Sequence, residues 1–477
     1  MTDCPSDTIP VMARRTARDL SAQLTRGPIA PTLLRLAWPV MLAQLFQPLY
    51  NFFDRLWLSR WGAIGIAALQ LAFPLVFFMI AVAAGITMAG TALVAQYTGA
   101  SRHSEANLAA GQVLTFTGLL SIVLAAFGLF VGPSVLSLMG GEPALIEASA
   151  VYLRIIYLGL PLMFSTFIIT ALLNGVGDTL TPMYLMAGSV GLNIVLDPFF
   201  IFGWGPFPAW GIAGAATATV IARGFVALVG FYLLFSGKLG LHIRREHLRL
   251  RWGIVRRIVS IGGMASIGQA GTALGFTIMN GALARIGTVV LSAFGIGNAF
   301  VSIVLMPAMG LGQATATMVG QNLGSDQPHR AKQSAWTGMA VSTAILSTAA
   351  VFVLLFRTTF LRVFTADPAV LAAGQDMLLL VGFAFPLMGI IQVVMGVYQG
   401  SGHTFYSMLF GLFRLWVLRV PLVYILSFTC GLGANGVWWA MLASNFGASA
   451  LSLGFFLTGN WKHRVIQEET EISDAAS

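Results

Sequence analysis

Asp54 and Asp197 each lie deep inside a long apolar stretch, where a carboxylate costs about 2.5–3.5 kcal/mol on insertion scales. Asn193 precedes Asp197 by one helical turn, so amide and acid share a helix face. Tyr50 and Asn51 stand about one turn before Asp54. Acids placed at such cost should face a cavity or a partner rather than lipid. Two of them brought together could exchange protons near neutral pH, or hold a small cation through carboxylate and amide oxygens. The plainer alternative pairs each acid with an arginine such as Arg55 or Arg223. Pro39 lies on roughly the same face as Asp54, well before it, and lacks a backbone donor. It reads equally as a gating bend and as a harmless one.

The elements that must position these residues are membrane spans. Of the 477 residues 57% are hydrophobic and only 9% charged, with a mean hydropathy of +0.83. A soluble chain carries about a quarter charged residues. Twelve apolar segments are each long enough to cross a bilayer. Six fall at 33–58, 64–97, 108–138, 146–173, 182–202 and 210–235. Six more fall at 258–284, 289–323, 335–355, 369–398, 405–428 and 434–457. The expected fold is an all-α membrane protein with an N-lobe at 31–235, a linker at 236–257 and a C-lobe at 258–459. Residues 1–30 and 460–477 read as tails. The first of these has arginines but no apolar core, unlike a cleavable signal.

The net charge of +9 sits mostly in short loops, a topology signal rather than a nucleic-acid surface. Sixteen Lys/Arg fall in the tails, the linker and two loops on one side, against four on the other. The positive-inside rule then places both termini and the linker in the cytoplasm. Cys4 and Cys430 are too few and too far apart for a disulfide framework.

The two halves are an internal repeat with an offset of 225 residues over most of their length. Gly85 aligns with Gly310, Gln96 with Gln321, Gly99 with Gly324 and Pro161 with Pro386. Six spans per copy put the relating pseudo-two-fold axis along the membrane normal. The acids break the repeat, since Asp54 aligns with Met279, Asn193 with Leu418 and Asp197 with Leu422. They belong to one lobe only.

Other candidates are weaker. Arg414 and Arg419 in the eleventh segment read first as side chains snorkelling to an interface, and second as contacts for an anionic substrate. Phe46, Phe53, Met279 and Met306 read as packing before pocket lining. Gly175-Val-Gly-Asp178 matches the GxGD of intramembrane aspartyl proteases, yet its repeat counterpart ends in His403, and a turn explains both copies. With no HExxH, phosphate loop or dinucleotide fingerprint, an enzyme is not expected.

Pro39…Asp54, VGQNLG at 319–324, NGVGDTLTPM at 174–183 and NIVLDPFFIFG at 193–203 together resemble the multidrug and toxic compound extrusion (MATE) family. The acids of the first lobe resemble its DNA-damage-inducible-F-like branch, with Arg55 a departure from the pattern. The resemblance implies a secondary transporter that exports organic, often cationic compounds in exchange for H⁺ or Na⁺, by alternating access and with no cofactor. It assigns Asp54, Asn193 and Asp197 to the coupling site with a threonine nearby, either Thr217 or Thr219. Tyr50, Asn51 and Asn174 would support the cavity. The expected partners are small organic substrates and membrane lipids, not nucleic acid. The expected setting is a monomer in a bacterial inner membrane. A lipid-linked precursor flippase of the same superfamily is the runner-up, and it calls for a more cationic cavity.

Overall fold

The computed structural model describes residues 17–467, and the outer parts of both tails lie outside them. A short amphipathic helix, α1 (Ala17–Arg26), precedes the first lobe. That lobe comprises α2 (Ile29–Trp61), α3 (Ala63–Gly99), α4 (His103–Met139), α5 (Pro143–Leu158), α6 (Leu160–Val176), α7 (Leu180–Phe202) and α8 (Ile212–Ser236). The second lobe opens with α9 (Trp252–Ile286), α10 (Thr288–Gly324), α11 (Pro328–Phe364) and α12 (Pro368–Gly400). Its eleventh span joins α13 (Thr404–Leu412), a π-helical stretch Phe413–Arg419, α14 (Val420–Val423) and a second π stretch Tyr424–Thr429. The last span is α15 (Gly433–Thr458).

Among the described residues ten helical spans are long and apolar enough to cross a membrane, and α5 with α6, bent by 52°, makes an eleventh. α9, long but less apolar, stands in the place of the seventh expected span. The bend falls at Gly159, just ahead of Pro161, which has no N–H to continue the ladder. The expected all-α, two-lobe fold of twelve spans is the one observed.

Each lobe packs its own interior. In the first, Tyr157 of α5 packs against Gly128 and Gly132 of α4, and Leu160 and Phe164 of α6 join the same cluster. In the second, Phe385, Met377 and Trp438 fill the space between α10, α12 and α15. Lipid is as apolar as these side chains, so close fit rather than water exclusion holds the helices together.

The lobes meet along a seam made twice, once by each repeat. Gly99 at the end of α3 lies against the Gln321 backbone, and Gly324 at the end of α10 lies against the Gln96 backbone. Gly85 on α3 meets Ser266 on α9, and Gly310 on α10 meets Met41 on α2. Glycine is required at these crossings because any Cβ would overlap the facing chain. Gln96 Nε2 donates to the Gly400 carbonyl at 3.1 Å. Gln321 Nε2 donates to the Gly175 carbonyl at 2.9 Å. All of these residues lie toward the ends of the spans that carry the basic loops. The repeat register holds as far as the eleventh span and then shifts. Gly237 and Gly459, which end α8 and α15 with φ of 72° and 77°, are 222 residues apart.

Parts of both tails are ordered over this seam. On α1, Ser21 Oγ donates to the Thr98 carbonyl at 3.5 Å, and the Leu24 carbonyl accepts from Asn322 at 3.3 Å. At the other end, Val465 N donates to Gln96 Oε1 at 3.1 Å, and Ile466 is buried beside Ile258 and Ile261. The tails thus contain segments that touch both lobes.

Candidate functional site

α2, α7 and α8 pack together in the half of the first lobe away from the seam. α2 brings Gln47, Tyr50 and Asp54; α7 brings Asn193 and Asp197; α8 brings Thr219 and Arg223. Asn193 and Asp197 are fully buried, and Tyr50, Asp54, Thr219 and Arg223 nearly so.

Asn193 Nδ2 donates to Asp197 Oδ1 at 3.1 Å, the bond expected from their one-turn spacing. The Asp54 carboxyl lies within hydrogen-bonding reach of the Asp197 carboxyl and of Asn193. Ionised carboxylates only accept, so this pair can touch only through a shared proton or a cation between them. Tyr50 and Thr219 are neighbours at the same place. Tyr50 Oη, Asp54 Oδ1, Asn193 Oδ1, Asp197 Oδ2 and Thr219 Oγ1 complete no hydrogen bond. Buried polar atoms are rarely left so. A cluster of oxygen acceptors without thiol or imidazole suits a proton or a hard cation.

The arginine alternative fails on geometry. Arg223 is turned away, with Nη2 donating to Gln47 Oε1 at 2.9 Å and Nη1 reaching Met186 Sδ at 3.2 Å. Its guanidinium stacks over the Tyr50 ring, 5.0 Å from the centroid. Arg55 is exposed. Among the described residues the ion pairs involve neither Asp54 nor Asp197.

Local sequence shapes the pocket. Pro198 follows Asp197 inside α7, and its missing N–H leaves the carbonyl one turn back, on Ile194, without its helical partner. α7 then stops at Gly203, whose φ of 75° is left-handed. The connection folds back, so that Trp210 N donates to the Phe200 carbonyl at 2.9 Å and Gly211 N to Ile201 at 3.1 Å. Trp57, one turn after Asp54, meets Phe202 and Trp204 edge-on at 6.2 and 6.4 Å. This aromatic cap over the site was not anticipated, although the density of Phe and Trp at 199–210 was a signal for it.

Other candidates lie elsewhere. Thr217 is half-buried and its hydroxyl donates to the Ala213 carbonyl at 2.8 Å, so Thr219 is the threonine at the cluster. Asn51 is exposed and not part of the buried cluster. Asn174 sits at the seam, where its carbonyl accepts from Thr317 Oγ1 at 3.0 Å. Asn51 stands apart from the cluster because the one-turn argument fixes spacing along a helix and not the direction in which the helix faces. Pro39 is buried in α2, beside Leu36 and Ala37, which pack on the second lobe's Leu311 and Ala314. Met279 is core. Asp178 caps a turn, with Oδ1 accepting from Thr181 N at 3.0 Å and Oδ2 from Thr181 Oγ1 at 2.6 Å. Arg419 does not snorkel; it is buried, and its Nε donates to Ser444 Oγ at 3.0 Å.

Comparison with known proteins agrees with this architecture. The MatE family model matches residues 39–199 and again 265–425, one copy in each lobe. The probable multidrug resistance protein YoeA of Bacillus subtilis is 29% identical over 432 residues, which are 90% of this chain and 93% of that protein. The probable multidrug resistance protein NorM of Thermotoga maritima is 27% identical over 457 residues, 94% and 96% of the two chains. A solved structure of a multidrug resistance MATE family transporter of the MOP superfamily, in an outward-facing conformation, superposes with a TM-score of 0.85. It is 25% identical and covers 92% of this chain and 97% of its own.

Proposed function

This chain belongs to the MatE family, and from that premise we propose that it is a multidrug efflux transporter driven through Asp54 and Asp197 by H⁺ or Na⁺. It moves small organic compounds and is not an enzyme. The observation that carries the coupling assignment is the contact between two buried carboxyls, neither of them in an ion pair with an arginine among the described residues. Such a contact favours one bound cation and is destabilised when that cation leaves. Emptying the site therefore changes how α2 packs on α7, and α2 also lies against the second lobe. Pro39 lies within α2's contact with the second lobe and Pro48 between that contact and Asp54, and these prolines are the points at which α2 can flex.

The acids and Asn193 are the pattern of the DNA-damage-inducible-F-like branch. The seam lies at the end bearing the basic loops, which the positive-inside rule assigns to the cytoplasm. On that orientation the conformation is outward-facing and both termini are cytoplasmic. The relatives come from bacteria, so the membrane is read as the bacterial inner membrane. The lobes supply the alternating-access partners within one chain, so a monomer is sufficient. The flippase reading calls for a more cationic cavity, whereas the cluster in the first lobe is built on two acids. Substrate counterflow in proteoliposomes under separate pH and Na⁺ gradients tests the proposal. One of the two gradients should drive accumulation, and accumulation indifferent to both contradicts ion coupling.

A further inference from the structure

The second lobe contains a pair of arginines that the coupling site does not use. Arg414 and Arg419 both lie in the π-helical stretch Phe413–Arg419. A π-helix bonds residue i to i+5, so it stacks these two on one face, whereas an α-helix would splay them apart. Arg419 is buried, Arg414 is partly exposed, and they are near enough to repel. The pair therefore runs from a half-buried position into the lobe.

Their charge is unanswered. Arg419 Nε donates to Ser444 Oγ on α15, but Arg419 Nη2 and Arg414 Nε have no acceptor. Among the described residues no ion pair involves either one. Of the elements packed on this stretch, α15 carries no acid and the charged residues of α9 are all arginines. Asp376 on α12 is exposed. Arg223 in the first lobe shows what a buried arginine looks like when the fold satisfies it, with an amide oxygen, a sulfur and an aromatic face around it. The repeat sharpens the contrast. At the 225-residue offset Arg414 stands where the first lobe has Ser189, and Arg419 where it has Ile194. One lobe has gained acids, with Arg223 near them, and the other has gained bases, with no acid in α15 or α9 packed on them.

We propose that Arg414 and Arg419, with Ser444, form an oxyanion-binding site in the second lobe that receives the carboxylate or phosphate of a transported compound. Two guanidiniums one turn apart offer forked donors to a single oxyanion, the geometry in which arginine binds carboxylate and phosphate most strongly. The substrates then include zwitterions and organic anions as well as cations. Only the origin of the anion as cargo rests on the transporter reading. The site itself is tested by binding without any ion gradient, so failure here and failure of coupling are distinguishable.

The test uses the full chain in phosphatidylcholine nanodiscs, with fluorescence-anisotropy titration of rhodamine B, whose benzoate is free, and of its ethyl ester. The protein should prefer the acid by about tenfold or more, as expected for charge-assisted hydrogen bonds. Arg414→Gln and Arg419→Gln should each erase most of that preference while leaving ester binding unchanged. Arg419→Lys should retain part of it, and it keeps the test sound where the neutral variant fails to fold. Inorganic phosphate should compete with the acid and not with the ester. Equal binding of acid and ester by the unaltered protein, or equal loss of both in the variants, overturns the proposal. Loss of the preference when phosphatidylglycerol is added assigns the arginines to an anionic lipid headgroup and also overturns it.

Discussion

Gln96 and Gln321, 225 residues apart, make the same hydrogen bond across the seam in opposite directions. Each donates its side-chain amide to a glycine carbonyl of the other lobe, Gly400 and Gly175, at 3.1 and 2.9 Å. The two acceptors are themselves related by the repeat. One local solution, written once in each half, therefore closes the molecule at one end and leaves the other end free to part.

Gly99 and Gly324 make that closure possible, because each lies on the backbone of the facing glutamine. Gly324→Ala should push the lobes apart there, at a cost on the order of 1–3 kcal/mol to the closed seam. Cysteine labelling near Ser325 should then be faster than in the unaltered chain. Unchanged labelling would show that the seam tolerates a Cβ.

The two threonines separate the site from its surroundings. Thr219 lies beside Tyr50 with its hydroxyl unpaired, whereas the Thr217 hydroxyl is already bonded to its own helix. Thr219→Val should weaken gradient-driven export by about tenfold, the worth of one lost polar contact to the ion. Thr217→Val should change it less than twofold. The reverse order would move the site by more than half a helical turn.

Asp178 tests the protease alternative. Both its carboxyl oxygens are occupied in capping the turn before α7. Asp178→Asn keeps one acceptor and should leave export intact, with stability lowered by about 1 kcal/mol. A large loss of export on this change alone would give Asp178 a role beyond the turn.

Much of this was legible in the chain. Spans, lobes and repeat follow from hydropathy and from the 225-residue offset, because lipid demands apolar helices and the repeat is written in glycine and glutamine. Asp54, Asn193 and Asp197 stood out because charge is rare inside spans. Helix rotation was not legible, and this is why Asn51 read as a cavity residue and Arg419 as a snorkelling one. The π turns at Phe413–Arg419, which set the arginine pair, carry no local signature in a segment whose composition is that of an ordinary span.

The central claim is that export is driven through the Asp54–Asp197 contact. The most direct measurement compares gradient-driven export in proteoliposomes for Asp54→Asn, Asp197→Asn and the unaltered chain at equal reconstituted amounts. Asparagine keeps the shape and removes the charge, so both variants should insert and fold, and both should lose driven export by at least about a hundredfold. Transport by both variants at the unaltered rate, under the gradient that drives the parent, would contradict the account.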